Sequence, residues 1–181
     1  FGHLGCATPA FLPLDRGSVQ DPYEFADTEY CSWRATTLSG QVHDENAYVL
    51  GGVAGHAGLF GTALEVKCVL DAILDTLSNE DTSTPWSRER LSEFLLPARL
   101  DPASTWALGF DTPASSDSSA GHHFSAETVG HLGFTGTSFW LDLQREMAVI
   151  LLTNRIHPSR DNEKIKDFRP LIHDAVMEEF G

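Results

Sequence analysis

The chain has 181 residues, of which 41% are hydrophobic and 21% are charged, a composition typical of a globular domain with a sizeable core. Acidic residues outnumber basic residues by 26 to 12, and the net charge of −14 argues against nucleic acid and anionic membranes as partners. The longest uninterrupted apolar run, residues 147–152, is far shorter than the roughly 20 residues of a membrane-spanning helix, so we expect no membrane span.

The first part of the chain is predicted to be rich in loops and to contain two helices. Residues 1–40 keep no helical period, and the cluster of glycines over 51–61 excludes a regular helix there. A Thr-x-x-Glu capping box opens a helix over 62–77, where apolar residues recur at helical spacing. A second helix is predicted over 84–96, with one proline in its first turn and another directly after its end.

The last third of the chain is predicted to be a sheet followed by a helix. Residues 106–110 form a short strand candidate, and three further strands are predicted over 127–134, 138–142 and 147–154. The short connections between these three strands favour an antiparallel meander. The last of them is apolar on both faces, which predicts a central position in the sheet. The chain ends in an amphipathic helix, for which Pro170 predicts a start or a kink.

These elements predict an α+β fold with helices covering one side of an antiparallel sheet. We interpret residues 1–181 as part of a single domain, with a loop-rich and helical part over 1–104 and the sheet strands and closing helix over 105–181. Because the chain starts with Phe1 and not with methionine, we expect it to be a piece of a longer polypeptide.

The three cysteines, Cys6, Cys31 and Cys68, are few and unevenly spaced. They form no Cys-x-x-Cys pair, so neither a zinc ribbon nor a disulfide framework is indicated. We therefore expect three free or buried thiols.

The most informative string is GHLGFTGTSFW, over residues 130–140. Gly133 interrupts a strand, which suggests that a ligand or another backbone approaches closely there. His131 lies two residues earlier, on the same face of the strand, and places an imidazole beside accessible backbone. Taken alone, the string fits either a functional site or a bulged edge strand with a surface histidine.

Other histidines leave alternatives open. His43 and Asp44 form either a hydrogen-bonded pair in a cleft or a loop-stabilising contact. His56, within the glycine cluster, either faces a pocket or caps backbone groups. His122 and His123, with His131 and Asp117 nearby in sequence, invite comparison with a metal site, but their spacing repeats no known ligand pattern. We expect neither a metal nor another cofactor.

Two motifs resemble the penicillin-recognising serine hydrolases, which comprise class C β-lactamases, DD-peptidases and related esterases. The first is HLGFTGT between two strands, followed by an apolar strand and a closing helix. The second is GQVHDENA over 40–47, followed by GGVAGHAGLFGT over 51–62, similar to a subset of that family. The resemblance covers roughly residues 27–180. It implies a β-lactamase/transpeptidase-like fold, of which this chain forms the C-terminal portion.

The resemblance also implies roles for individual residues. His131 takes the place of the lysine in the family's Lys/His-Thr-Gly motif, where it would position the substrate and assist proton movement. The Phe134 backbone N–H would be one of two oxyanion-hole donors. The residues expected to line the substrate site are Leu132, Gly133, His43, Asp44 and His56.

Two departures from the family pattern affect the expected substrate. A histidine side chain is mostly neutral at pH 7, whereas the family's lysine is protonated. Leu132 replaces a threonine whose hydroxyl helps to hold a β-lactam carboxylate. Both changes weaken anion recognition, so we expect an ester, an amide or a peptide as the substrate in preference to penicillin.

A third departure concerns the nucleophile. None of the chain's lysines is preceded at the third position by serine, and neither a Tyr-x-Asn nor a Ser-x-Asn motif is present. We expect the Ser-x-x-Lys nucleophile in a missing N-terminal part of the polypeptide, and no turnover by this chain alone.

The resemblance to this family implies the cell envelope in preference to the cytoplasm. The alternatives are a non-catalytic module that binds a peptide or peptidoglycan, and a metal-dependent hydrolase that uses the histidines.

Overall fold

The computed structural model describes residues 4, 6–7, 9–13, 25–79, 84–96 and 104–181. Its helices are α1 (Glu45–Val49), α2 (Ala63–Ser78), α3 (Arg88–Leu95) and α4 (Ile165–Phe180). Its strands are β1 (Ala10–Phe11), β2 (Tyr30–Cys31), β3 (Thr36–Thr37), β4 (Leu59–Phe60), β5 (Thr128–Leu132), β6 (Ser138–Asp142) and β7 (Met147–Leu151). The predicted α+β architecture is confirmed. In this part of the chain, no helix is long and apolar enough to cross a membrane.

The main sheet is the antiparallel meander that the short connections predict. Its strand order is β5-β6-β7, with Trp140 of β6 opposite Gly130 on one side and Val149 on the other. The prediction that β7 is central is wrong for the described residues, because β6 has that position. The apolar character of both β7 faces reflects cover above and below the sheet, not a neighbouring strand in its plane.

Helices pack on both faces of this sheet, so the prediction of cover on one side is wrong. On one face, α2 and α3 build a buried cluster with β5 and β6, made of Leu70, Ile73, Leu95, Val129 and Leu141. On the other face, α4 places its buried His173 within 3.2 Å of Ser138 Oγ on β6. Because successive side chains of β6 alternate between the faces, its buried residues serve both layers.

Local capping signals set the helix starts. The Glu65 N–H donates to Thr62 Oγ1 at 3.3 Å, and the Thr62 N–H donates to the Glu65 carboxylate at 2.7 Å, which confirms the capping box of α2. Helix α3 begins four residues after the predicted start at residue 84, because the Ser87 hydroxyl accepts from the Arg90 N–H and so acts as its N-cap. Helix α4 begins at Ile165, so Pro170 lies inside its second turn and not at its start.

The strand predicted over residues 106–110 is reduced to isolated pairings. Asp111 exchanges two backbone hydrogen bonds with Gly130 of β5, at 2.7 and 2.8 Å, and Trp106 is bridged to Asp111. This short hairpin extends the β5 edge and carries Trp106 to the end of the sheet.

The expectation of three free thiols is wrong, because Cys6 and Cys68 form a disulfide and only Cys31 of the three is free. The pairing follows from the fold. Strand β1, just after Cys6, pairs with β4, which leads directly into α2, the helix that carries Cys68. Their Cα atoms are 6.4 Å apart although 62 residues separate them in sequence, so spacing alone could not reveal the bridge.

Two distant segments, residues 27–29 and 154–160, lie against each other, and we call this contact the clasp. His157 Nδ1 lies 2.9 Å from the Thr28 carbonyl oxygen, and the Arg160 N–H donates to the Glu29 carboxylate at 2.9 Å. The clasp brings the early part of the chain to the end of the sheet where the HLGF segment lies.

Candidate active site

The segment that follows β5 forms a tight turn before β6. The Gly133 N–H donates to the Thr137 carbonyl at 2.8 Å, and the Gly136 N–H donates to the Gly133 carbonyl at 3.0 Å. Gly136 has a φ of 108°, a conformation that favours glycine. A Cβ atom on Gly133 would overlap Thr137 Oγ1. In the structure, the close approach predicted at Gly133 is therefore made by Thr137 of the same turn.

His131, next to the end of β5, presents an exposed imidazole with a defined tautomer. Its Nδ1 lies 2.9 Å from the Leu132 carbonyl oxygen. Because a carbonyl oxygen can only accept, Nδ1 carries the proton of this hydrogen bond, and Nε2 has no hydrogen-bond partner among the described residues. The ring also packs beside the half-exposed Trp106, with 5.4 Å between the ring centroids. Nε2 is thus the nitrogen available for chemistry, with an aromatic wall next to it.

The backbone of Phe134 is the second chemical feature of the turn. The Phe134 N–H makes no hydrogen bond to any described residue, whereas the Phe134 carbonyl accepts from Arg155 Nε at 2.8 Å. An N–H without an internal partner, close in sequence to an exposed imidazole, is suited to stabilise an oxygen anion.

Two arginines that the sequence analysis did not identify bind the carbonyl groups of this turn. Arg169 Nη2 of α4 donates to the carbonyls of Gly133 and Thr137, at 2.8 Å each. The Arg155 N–H donates to the Thr135 carbonyl at 2.8 Å. A weak signal for Arg169 exists in the sequence, because it lies four residues after Ile165, on the stripe of α4 that is buried.

His43 is brought to the same place through the ring of Phe134. The two rings stack with 5.5 Å between centroids and 22° between planes. His43 Nε2 lies 2.9 Å from Glu29 Oε1, and Glu29 is also paired with Arg160 in the clasp. Burial by itself would raise the pKa of Glu29, but the hydrogen bonds from Arg160 and His43 outweigh it and lower the pKa to about 2. Glu29 is therefore ionised at neutral pH and fixes both partners.

Asp44 and His56 contact each other and not the HLGF turn. Asp44 Oδ1 accepts from the Ala47 N–H at 2.8 Å, which caps α1, and lies 3.0 Å from His56 Nε2. The hydrogen bonds from Ala47 and His56 lower the pKa of Asp44. The predicted hydrogen-bonded pair of His43 and Asp44 is not formed, since His43 bonds to Glu29 and Asp44 to His56.

His122 and His123 anchor a loop to α4. His122 Nδ1 lies 2.8 Å from Asp174, and His123 Nε2 lies 3.1 Å from Glu178. The hydrogen bond that His122 donates to Asp174 raises the pKa of His122. Within the described ranges, no three histidine, cysteine or acidic side chains are grouped so that they could hold a metal ion.

Comparison with known proteins places this chain in a family. The family model described as Beta-lactamase matches residues 12–173. An N-acetylmuramyl-L-alanine amidase of Bacillus subtilis is 35% identical over 161 residues, which are 81% of this chain and 35% of that protein. A putative D-alanyl-D-alanine carboxypeptidase of Escherichia coli K12 is 32% identical over 176 residues, 89% of this chain and 39% of that protein. The chain thus spans little more than a third of these curated relatives.

Solved structures share the fold at low sequence identity. Simvastatin synthase from Aspergillus terreus matches with a TM-score of 0.62 and 14% identity, over 99% of this chain and 48% of that chain. A β-lactamase from Mycobacterium bovis matches with a TM-score of 0.55 and 22% identity, over 68% of this chain and 46% of that chain. The family match over most of the chain shows that the protein belongs to the Beta-lactamase family, and the two structural likenesses show that it covers part of that α+β fold.

Proposed function

We propose that this chain is the C-terminal part of an acyl-serine hydrolase and supplies half of its oxyanion hole. The observation that carries the proposal is the Phe134 N–H, which has no internal acceptor in the described part of the chain and lies three residues from the imidazole of His131. The family membership supports the same conclusion.

The chemistry follows the acyl-enzyme route. A serine hydroxyl attacks the substrate carbonyl, and its proton passes to a neighbouring base. The Phe134 N–H donates to the oxyanion that forms, together with the N–H of the serine itself. Collapse of the intermediate breaks the bond to the leaving group, which takes up a proton, and water then hydrolyses the acyl-serine. His131 Nε2 contributes by hydrogen bonding and proton movement beside the nucleophile.

The nucleophile belongs, on this proposal, to a segment outside these 181 residues. The chain contains no Ser-x-x-Lys sequence. It also covers only 35% and 39% of the amidase and carboxypeptidase relatives. The chain alone is therefore proposed to be inactive.

The substrate class is an amide, a peptide or an ester without a recognised carboxylate. The two arginines at the Phe134 ring use their donors within the protein. Arg155 donates to the carbonyls of Phe134, Arg160 and Asn162, and Arg160 is paired with Glu29 and Glu45. The relative named as an N-acetylmuramyl-L-alanine amidase supports an amide bond, and both named relatives support a place in the cell envelope.

The test is labelling with a fluorophosphonate probe, read by intact mass. The 181-residue chain and the complete native polypeptide that carries it are labelled side by side, together with His131→Ala, His131→Lys and the distant control His122→Ala. We expect one adduct on the complete polypeptide, none on the chain, and labelling slowed about 100-fold by His131→Ala only. Stoichiometric labelling of the isolated chain would show that it contains the nucleophile. Absence of any adduct would favour the non-catalytic binding module.

A further inference from the structure

We infer that Arg169 is a positioning residue, which orients the Phe134 N–H by holding the Gly133 carbonyl of the same peptide group. This inference rests on the proposed function, in which that N–H receives the oxyanion. Arg155 holds the next peptide group along and completes the arrangement.

The geometry of the peptide bond makes the connection. The Gly133 carbonyl and the Phe134 N–H belong to one planar, trans peptide unit, so they point in opposite directions. Arg169 Nη2 donates to the Gly133 carbonyl oxygen at 2.8 Å. A donor fixed on the carbonyl side of the unit therefore fixes the direction of the N–H on the other side. It also polarises the amide and strengthens the N–H as a donor.

Arg169 also fixes the width of the turn. The same Nη2 atom donates to the Thr137 carbonyl at 2.8 Å, so one nitrogen bridges both ends of the turn. The Gly133 N–H donates to the Thr137 carbonyl as well, at 2.8 Å. The turn thus cannot open without breaking a bond to a guanidinium group that is anchored on α4.

Burying the guanidinium group of Arg169 costs desolvation free energy, which a purely structural residue would not need to lose. Its side chain is buried, with no ion-pair partner among the described residues, and its Nε atom has no hydrogen-bond partner there. Burial, with the nearby charge of Arg155, lowers the pKa of Arg169. An apolar side chain would fill the same space without this desolvation. An apolar side chain, however, could not donate a hydrogen bond to the Gly133 carbonyl as Arg169 does.

Arg155 restrains the peptide unit that follows. Its Nε donates to the Phe134 carbonyl at 2.8 Å, and its guanidinium lies over the Phe134 ring, 4.5 Å from the centroid. Its Nη1 is in turn bound to the carbonyls of Arg160 and Asn162, at 2.7 and 3.0 Å. Two successive peptide units are therefore held by two arginines, and the Phe134 N–H lies between the two held carbonyls.

The experiment compares Arg169→Lys and Arg169→Met with a matched control, Arg145→Lys. Arg145 also binds a backbone carbonyl and a carboxylate, but at the opposite end of β6. In the complete polypeptide, we expect both Arg169 variants to lower kcat for an ester substrate by about tenfold or more with little change in KM, because the lost effect belongs to the transition state. Lysine can restore one donor, so Arg169→Lys should retain more activity than Arg169→Met.

A second measurement keeps the inference testable where Arg169→Met folds poorly. In the 181-residue chain labelled with nitrogen-15, the amide resonance of Phe134 should shift in Arg169→Lys and stay in place in Arg145→Lys. Unchanged kcat in an Arg169→Lys enzyme, or an unmoved Phe134 resonance, overturns the inference while the proposed function stands. A wild-type polypeptide that forms no fluorophosphonate adduct overturns the proposed function, and the inference with it.

Discussion

Asp142, at the end of β6, holds the turn into β7 through a carboxylate that is fully buried. It accepts five hydrogen bonds, from the N–H and hydroxyl of Ser125, the N–H of Gln144, and the N–H and guanidinium of Arg145. Burial alone would raise the pKa of Asp142, but these bonds outweigh it and lower the pKa from 3.8 to about 2. The fold therefore depends on the ionised form.

This shift sets the size and the pH range of the expected effect. A pKa lowered in the folded state gives stability that is complete above the unfolded value near 3.8 and is lost as pH falls through about 2. At about 1.4 kcal/mol per pKa unit, the ionised Asp142 contributes about 2.5 kcal/mol to the free energy of unfolding at neutral pH. Asp142→Asn removes this contribution and turns an NH2 group toward donors. We expect a loss of at least about 2.5 kcal/mol, or about 5–10 °C in Tm.

Urea unfolding followed by tryptophan fluorescence measures this loss, since Trp140 on the same strand is buried. The matched control is Asp75→Asn, an exposed carboxylate on α2. The difference between wild type and Asp142→Asn should be constant above pH 5 and shrink below pH 4. A loss no larger than that of Asp75→Asn, or one that does not change with pH, would refute the reasoning.

Three further predictions concern the sheet, α4 and the disulfide. A Cβ atom at Gly130 would overlap the Phe139 carbonyl and the Trp140 ring, so Gly130→Ala should lower the free energy of unfolding by about 1–3 kcal/mol or more. A Cβ atom at Gly55 would meet open space, so the control Gly55→Ala should not lower it. Equal urea midpoints for the two variants would contradict this. Burial lowers the pKa of His173, so at pH values just below 6.5 the folded protein binds fewer protons than the unfolded chain. The free energy of unfolding of the wild type should therefore fall between pH 7 and pH 5 more steeply than that of His173→Gln. Parallel pH profiles would exclude that role. Cys68→Ser removes a disulfide between residues that are 62 positions apart. The loop-entropy relation predicts a loss of about 4 kcal/mol in the free energy of unfolding, seen as a lower Tm. An unchanged Tm would show that the bridge does not form.

The elements that the sequence predicts well are those decided by nearby residues. The capping box of α2 and the end of α3 before Pro97 depend on contacts within one helical turn. The three-strand meander follows from short connections, which permit only antiparallel pairing. The start of α3 is missed because two N-terminal signals compete, and the Ser87 cap prevails over the proline three residues before Arg88.

The candidate site is predicted only in part, for a related reason. The HLGF string marks His131 because a glycine in a strand and a histidine two residues away are visible locally, whereas Phe134 is identified only by the family resemblance. The partners that hold this string come from afar: Arg169 lies 36 residues from Gly133, and Glu29 lies 131 residues from Arg160. No periodicity in the sequence predicts contacts between residues so far apart. The local signal that the sequence does carry is an arginine at a buried position of α4.

The clasp has a consequence for the order in which the protein assembles during synthesis. During synthesis, Glu29 leaves the ribosome long before Arg160, which follows 131 residues later. The Glu29 carboxylate is therefore without its main partner until Arg160 has been made. Closing so long a loop costs conformational entropy that the late contact must overcome. The β5–β7 meander, by contrast, needs only neighbouring residues. The clasp, and with it the fixed position of His43 beside the Phe134 ring, therefore cannot form until Arg160 has been made.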